Sequence, residues 1–248
     1  MASQKSVLIT GAAGGIGKAL CSEFKDAGYL VVATDVTDEG PADCNFYLKQ
    51  DLEVFVNEVA KRASFCAQVQ KQIGNAGLDV LVNNAATQIL GDSSRLSLKD
   101  WQKTLNVNLL APFFMAQSFL ESMEKKQGLI LNISSIHENL TKPEFVAYAT
   151  SKAALSGMTR SMAVDLGARV RVNAIAPAAI ETDMLRAGFE NNKEGYEQLK
   201  RFHPRGHIGS PQGVAKLAVM LADDSMSFMS GSVIGMDGAI ASRLHDPS

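Results

Sequence analysis

Short apolar runs rich in β-branched residues alternate along this chain with longer stretches of helical period. Residues 6–9, 30–34, 80–82, 129–133 and 170–175 have the length and composition of buried strands, and 233–236 offers a last one. Between them, 16–27, 54–73, 98–125, 148–166 and 213–221 carry the apolar spacing of helices. Continuous apolar strands separated by helices predict a parallel sheet covered on both faces. The stretch 182–211 interrupts this rhythm: it is polar, mixed in charge, and punctuated by Gly188, Gly195, Pro204 and Gly206. Because it follows a strand end, it is expected to act as a lid over a pocket.

With no internal repeat, low-complexity tract or linker rich in Pro, Gly and Ser, residues 1–248 are expected to form one domain. Its 24 basic and 26 acidic residues leave a net charge of −2, which gives no basic field for nucleic acid and no charged tail. Cys21, Cys44 and Cys66 stand far apart with no Cys-x-x-Cys pair or neighbouring His, so neither a disulfide framework nor a metal site is expected. The N-terminus passes from Lys5 into Val7-Leu8-Ile9 and then glycines, without a signal-peptide core or a membrane span. A cytoplasmic enzyme or binding protein is the expectation.

Thr10-Gly11-Ala12-Ala13-Gly14-Gly15-Ile16-Gly17 leaves the first strand and opens the first helix. A nucleotide pyrophosphate placed there meets a helix N-terminus and free backbone N–H groups. Gly11 permits the tight turn, Gly15 the close approach of backbone to phosphate, and Gly17 close helix packing. Asp35 ends the second strand, where an acidic residue takes the adenine ribose hydroxyls and repels a 2′-phosphate. Neither Ala12 nor Ala13 supplies a cation for such a phosphate, so the cofactor expected is NAD rather than NADP. Asp51 and Leu52, after a third strand, could hold the adenine edge. Asn83-Asn84-Ala85-Ala86 follows the next strand; in register with the glycine loop it makes a floor for the cofactor, although alone it is a simple turn.

Tyr148 and Lys152 lie four residues apart on a helix and so share one face. A fixed positive charge beside a phenol favours phenolate and lowers its pKa, which makes Tyr148 a candidate general acid/base.

These segments together, with Asn108, Ser134-Ser135 and Pro177–Thr182, make the chain resemble the short-chain dehydrogenase/reductase family over nearly its whole length. The resemblance implies an α/β, doubly wound Rossmann-like fold with a seven-stranded parallel sheet. It implies that Tyr148 exchanges the hydroxyl proton while hydride moves between substrate carbon and nicotinamide. Lys152 would lower the Tyr148 pKa and hold the nicotinamide ribose, and Ser135 would hydrogen-bond the substrate oxygen. Asn108 would bind a water that relays the proton, with Asn106 read as the decoy. Pro177, the Ile180 backbone and Thr182 would face the carboxamide. Ala86 and Ala178 depart from the family's usual glycines, and an alanine at either position needs an ordinary negative φ or carries strain. Asp237-Gly238-Ala239 varies the usual Asp-Gly-Gly. A homotetramer is implied in the same way.

For the substrate, Ser134-Ser135-Ile136-His137-Glu138 followed by Pro143–Val146 is similar to the corresponding stretch of glucose 1-dehydrogenases within that family. His137 and Gln88 would present hydrogen-bonding groups to the neighbours of the reacting carbon, which suits a sugar, a polyol or a hydroxy acid. Against a hydroxy acid, Phe145 stands where hydroxybutyrate dehydrogenases place a lysine. His203 and Arg201 in the lid are read as solvated loop residues. The alternatives to an NAD-dependent sugar or polyol dehydrogenase are a hydroxy-acid dehydrogenase, a ketoacyl-type reductase, which Asp35 argues against, and a non-catalytic NAD-sensing protein.

Overall fold

Val7, Leu8 and Ile9 are fully excluded from solvent, yet they serve opposite sides of a sheet. Val7 and Ile9 join the core on one face and Leu8 the core on the other. Alternation of side chains along a strand produces this division, and an unbroken apolar run is its trace in the sequence.

The computed structural model describes residues 4–244, without the Met184 side chain. In chain order the elements are β1 (Ser6–Thr10), α1 (Gly15–Asp26), β2 (Leu30–Asp35), β3 (Phe46–Lys49), α2 (Leu52–Asn57), α3 (Val59–Ile73), β4 (Val80–Asn83) and α4 (Leu98–Leu105). A π-turn (Asn106–Leu110) leads into α5 (Ala111–Glu124), followed by β5 (Leu129–Ile133), α6 (Val146–Leu166), β6 (Arg171–Pro177), α7 (Asp183–Gly188), α8 (Lys193–Phe202), α9 (Pro211–Leu221) and β7 (Val233–Met236). The sheet has seven strands in the order β3-β2-β1-β4-β5-β6-β7, every pairing parallel.

This is the expected doubly wound α/β fold. On one face α1 and α9 pack through Leu20, Phe24, Val214 and Leu221. On the other, α3 and α5 pack through Phe65, Val69, Met115 and Phe119. The strand order reverses between β1 and β4, so their carboxyl ends part and open a crevice, the usual ligand position of such sheets.

Several expected elements are corrected. The helix expected over 54–73 is two helices: Asp51 caps α2 by accepting the Glu53 N–H at 2.7 Å, and Glu58, with extended backbone, separates α2 from α3. The helix expected over 98–125 is interrupted by the π-turn, where the Ala111 N–H reaches the Asn106 carbonyl. The edge strand β3 is not among the ranges expected from the apolar pattern; it is short and only partly buried. The stretch 182–211 is largely helical, with α7 capped by Thr182 and α8 by Asn192. His203, expected in solvent, is only 3% exposed. Of the C-terminal stretch 243–247, which the sequence leaves either frayed or packed, residues 245–247 lie outside the described residues. Among the described residues no helix is long and apolar enough to cross a membrane, and no group of three His, Cys, Asp or Glu could hold a metal.

Candidate active site

The glycine loop sits at the crevice because nothing larger fits. Gly11 has φ +66°, and a Cβ there would stand 2.6 Å from the Ala85 Cα. A Cβ at Gly17 would meet the Gly11 carbonyl oxygen at 2.1 Å, and one at Gly15 would meet Thr182 Cγ2 at 2.9 Å. Gly11 therefore admits the β4 end, Gly17 closes the loop on itself, and Gly15 admits the segment after β6. Gly14 is the N-cap of α1 and brings no side chain, so the N–H groups of Gly15, Ile16 and Gly17 in the first turn face no capping oxygen of its own. A narrow cradle of backbone donors fits a dinucleotide's pyrophosphate.

Asp35 is held against this loop. Its carboxylate accepts the Ala13 N–H at 2.9 Å and the Val36 N–H at 2.7 Å, so a negative charge borders the cradle. Asp51 uses one oxygen on the α2 cap, while Leu52 packs partly buried against the core beneath α3.

The segment after β4 is tied to the loop. Asn84 Nδ2 donates to the Thr10 and Gly11 carbonyls at 3.0 and 2.9 Å, and the Thr10 hydroxyl accepts from the Ala85 N–H at 3.1 Å. Across the crevice, Pro177 ends β6 and the Ile180 carbonyl accepts from the Thr182 N–H at 2.8 Å. The Thr182 hydroxyl accepts from the Leu185 N–H at 3.2 Å, leaving its own proton available to donate. Neither Ala86 nor Ala178 has a positive φ, so their replacement of glycine stores no strain. Ala239 does carry it, at φ +68°.

Tyr148 projects from the first turn of α6 and hydrogen-bonds to Ser135 at the end of β5. Burial pushes the phenol above its ordinary range, and the Ser135 bond pulls it partly back. Lys152 is buried on the same helix; its Nζ donates to the Ile133 carbonyl at 2.8 Å and lies 5.7 Å from the centre of the Tyr148 ring. Burial brings its ammonium down to about 8. The group that favours phenolate in this arrangement is Ser135, while the Lys152 ammonium, still mostly charged at pH 7, donates to a strand carbonyl.

Asn108 is fully buried in the π-turn. Its Oδ1 accepts the Thr87 N–H at 2.8 Å, and its Nδ2 donates to the Thr87 carbonyl and the Ser151 hydroxyl, each at 2.9 Å. Both hydrogens of the side-chain amide are therefore committed to protein partners. Ser151 and Thr87 were not legible as site residues; a hydroxyl on the buried face of an apolar helix was the one available signal.

Around the phenol stand aromatic and basic groups. The His137 ring stacks on Phe145 at 4.5 Å and meets Tyr148 edge-on at 5.8 Å. Its Nδ1 is buried without a partner, and burial followed by the nearby Lys142 charge lowers its pKa, so the imidazole is neutral at pH 7. Lys142 Nζ lies 4.5 Å from the Phe145 ring centre. Gln88, just past the Thr87 clamp, is exposed.

Comparison with known proteins follows the same outline. A family model described as enoyl-(acyl carrier protein) reductase matches residues 11–240. The 3-oxoacyl-[acyl-carrier-protein] reductase of Thermotoga maritima is 37% identical, covering 95% of this chain and 97% of its own. The 3β-hydroxysteroid dehydrogenase 1 of Eggerthella lenta is 31% identical, covering 95% and 93%. Among solved structures, ligand-free aldohexose dehydrogenase from Thermoplasma acidophilum superposes with a TM-score of 0.91 at 29% identity, covering 99% and 97%.

Proposed function

The chain belongs to the short-chain dehydrogenase/reductase family, and from that premise we propose that it is an NAD-dependent dehydrogenase of a secondary hydroxyl or hemiacetal in a small sugar or polyol, running reversibly. The observation that carries this reading is the hydrogen bond between Tyr148 and Ser135 beside the buried Lys152. When bound, the nicotinamide cofactor supplies the hydride acceptor or donor. Ser135 holds the substrate oxygen, and Tyr148 takes its proton in oxidation and returns it in reduction. Asn108 keeps the floor in place through Thr87. In this reading residues 1–248 act as one catalytic unit with 182–211 as its lid, and the assembly is a homotetramer.

The cofactor residues follow the cradle. Gly11, Gly14, Gly15, Ile16 and Gly17 border the pyrophosphate, Asp51 and Leu52 the adenine, Asn84 and Ala85 the floor, and Pro177, Ile180 and Thr182 the carboxamide. Asp35 selects NAD, because its carboxylate would stand against a 2′-phosphate. His137 and Gln88 take substrate hydroxyls, and the aldohexose dehydrogenase likeness supports a sugar.

A second reading rests on Lys142. Beside Phe145 it supplies the cation that the sequence comparison with hydroxybutyrate dehydrogenases had found missing, and so favours a hydroxy acid. Turnover of sugars, polyols, hydroxy acids and ketones with NAD(H) and NADP(H) tests both. The highest kcat/KM for a sugar or polyol with NAD is expected; preference for a hydroxy acid selects the second reading. Turnover of none with either cofactor removes both.

A further inference from the structure

Asn108 and Tyr148 belong to different helices, and the Ser151 side chain joins them. Ser151 is fully buried; its hydroxyl donates to the Tyr148 carbonyl at 2.7 Å and accepts from Asn108 Nδ2 at 2.9 Å. The direction of each bond is fixed, since a carbonyl only accepts and an amide nitrogen only donates. Asn108 grips Thr87 at both backbone groups, and Thr87 continues the segment that Asn84 ties to the Thr10 and Gly11 carbonyls. A bonded line therefore runs from the glycine loop to the backbone of the tyrosine.

Two local features give this line something to adjust. A π-turn re-aims the side chains of a helix, and this one is what turns Asn108 towards α6. A serine that bonds back to the carbonyl three residues earlier tilts that carbonyl and bends the helix locally. Ser151 does this to the carbonyl of Tyr148 itself.

We propose that Ser151 is a positioning residue for the reaction: through its bonds to Asn108 and to the Tyr148 carbonyl it sets the first turn of α6, and hence the phenol, in register with the cofactor side of the crevice. Ser151 touches neither reacting molecule. The inference rests on the reading of Tyr148 as the acid/base. Without the hydroxyl, one Asn108 hydrogen is buried unpaired and the Tyr148 carbonyl is released, so the phenol drifts from Ser135.

The test compares Ser151→Ala, Ser151→Thr and Ser151→Val. Thr and Val add the same bulk to a closed site, and only Thr keeps the hydroxyl. Reactions sensitive to misplacement lose up to roughly a hundredfold for a shift of about 1 Å, so kcat in Ser151→Ala is expected to fall about ten- to a hundredfold with cofactor KM within about twofold. Ser151→Thr should exceed Ser151→Val in kcat by about tenfold or more. A readout independent of turnover is the titration of ¹³C-labelled tyrosine; the chain has 4 tyrosines, and Tyr148→Phe assigns the signal. Because the Ser135 bond lowers the phenol, its midpoint should move upward in Ser151→Ala and Ser151→Val and stay in place in Ser151→Thr. An unmoved midpoint in Ser151→Ala, or equal kcat losses in Thr and Val that track thermal unfolding, overturns the proposal. A wild-type protein that turns over no alcohol, with the midpoint still shifted in Ser151→Ala, would sink the functional reading and leave the positioning role standing.

Discussion

The ammonium of Lys152 lies 5.7 Å from the centre of the Tyr148 ring, but its hydrogen bond goes to the Ile133 carbonyl at 2.8 Å. A cation is thus kept inside the protein by a neutral acceptor, without a carboxylate hydrogen-bond partner among the described residues. Such an arrangement is costly to stability and useful to chemistry, and it makes the lysine's energetic and catalytic roles separable.

Replacing this lysine should stabilise the fold. Burial lowers it from 10.5 to about 8, so between those values the unfolded chain binds more protons than the folded one, and stability rises with pH. Below about 8 the full penalty applies, roughly 3 kcal/mol. Lys152→Met is therefore expected to gain about 1–3 kcal/mol at pH 7 in urea unfolding, the gain shrinking towards pH 10.5, with activity lost. A variant less stable than wild type at pH 7 would show that the Ile133 bond outweighs the buried charge.

Ser135 should be visible in the pH profile. Oxidation needs Tyr148 as phenolate and grows with pH, whereas reduction needs the phenol and grows as pH falls. Since the Ser135 bond lowers the phenol against the upward push of burial, Ser135→Ala should shift the oxidation limb to higher pH. Its kcat should fall by about a hundredfold or more, the usual loss for a removed oxyanion donor. A lower kcat with an unmoved limb would mean that Ser135 acts on the substrate alone.

The cofactor preference should turn on Asp35. Its carboxylate borders the loop at Ala13, and a second negative charge about 4 Å away is opposed by about 1–4 kcal/mol between bulk water and a protein surface. Asp35→Asn keeps an acceptor for the Ala13 N–H and removes the charge. The ratio of kcat/KM for NAD over NADP should fall about ten- to a hundredfold. A ratio already near one in wild type would show that the carboxylate does not discriminate.

Ala239 offers a prediction remote from catalysis. It holds φ +68°, where an L side chain is strained and glycine is not. Ala239→Gly relieves that strain but frees the unfolded chain, leaving a net gain of about 0.5–1 kcal/mol. Thermal unfolding checks this; a lower Tm would mean that the alanine methyl packs better than its backbone suffers.

Legibility followed how local each signal was. The buried strands and the glycine loop were plain, because an apolar run and a set of obligatory glycines are written consecutively. The π-turn was not, since Asn106–Leu110 continues the helical pattern on either side and only the tertiary bonds of Asn108 reveal the inserted residue. The helices α7 and α8 were hidden by mixed charge and Gly195, although Asn192 and Thr182 are ordinary caps. Asp35, Tyr148 and Lys152 could be singled out by position and spacing and Ser135 by the family resemblance, but the bonds and burial that set the charge on Lys152 and Tyr148 could not, because they depend on which carbonyl the lysine meets. The Thr87–Asn108–Ser151 line joins residues far apart in the chain and leaves no trace in any one segment.

The most direct measurement is the turnover of Tyr148→Phe beside its affinity for NAD. The ring and its contacts with His137 and Phe145 survive the change, and only the proton-carrying oxygen is lost. Loss of a positioned acid/base predicts a kcat about 10²–10⁴-fold lower, with NAD binding by fluorescence titration within about threefold of wild type. Near-full turnover by Tyr148→Phe would contradict the assignment of Tyr148 as the residue that moves the proton.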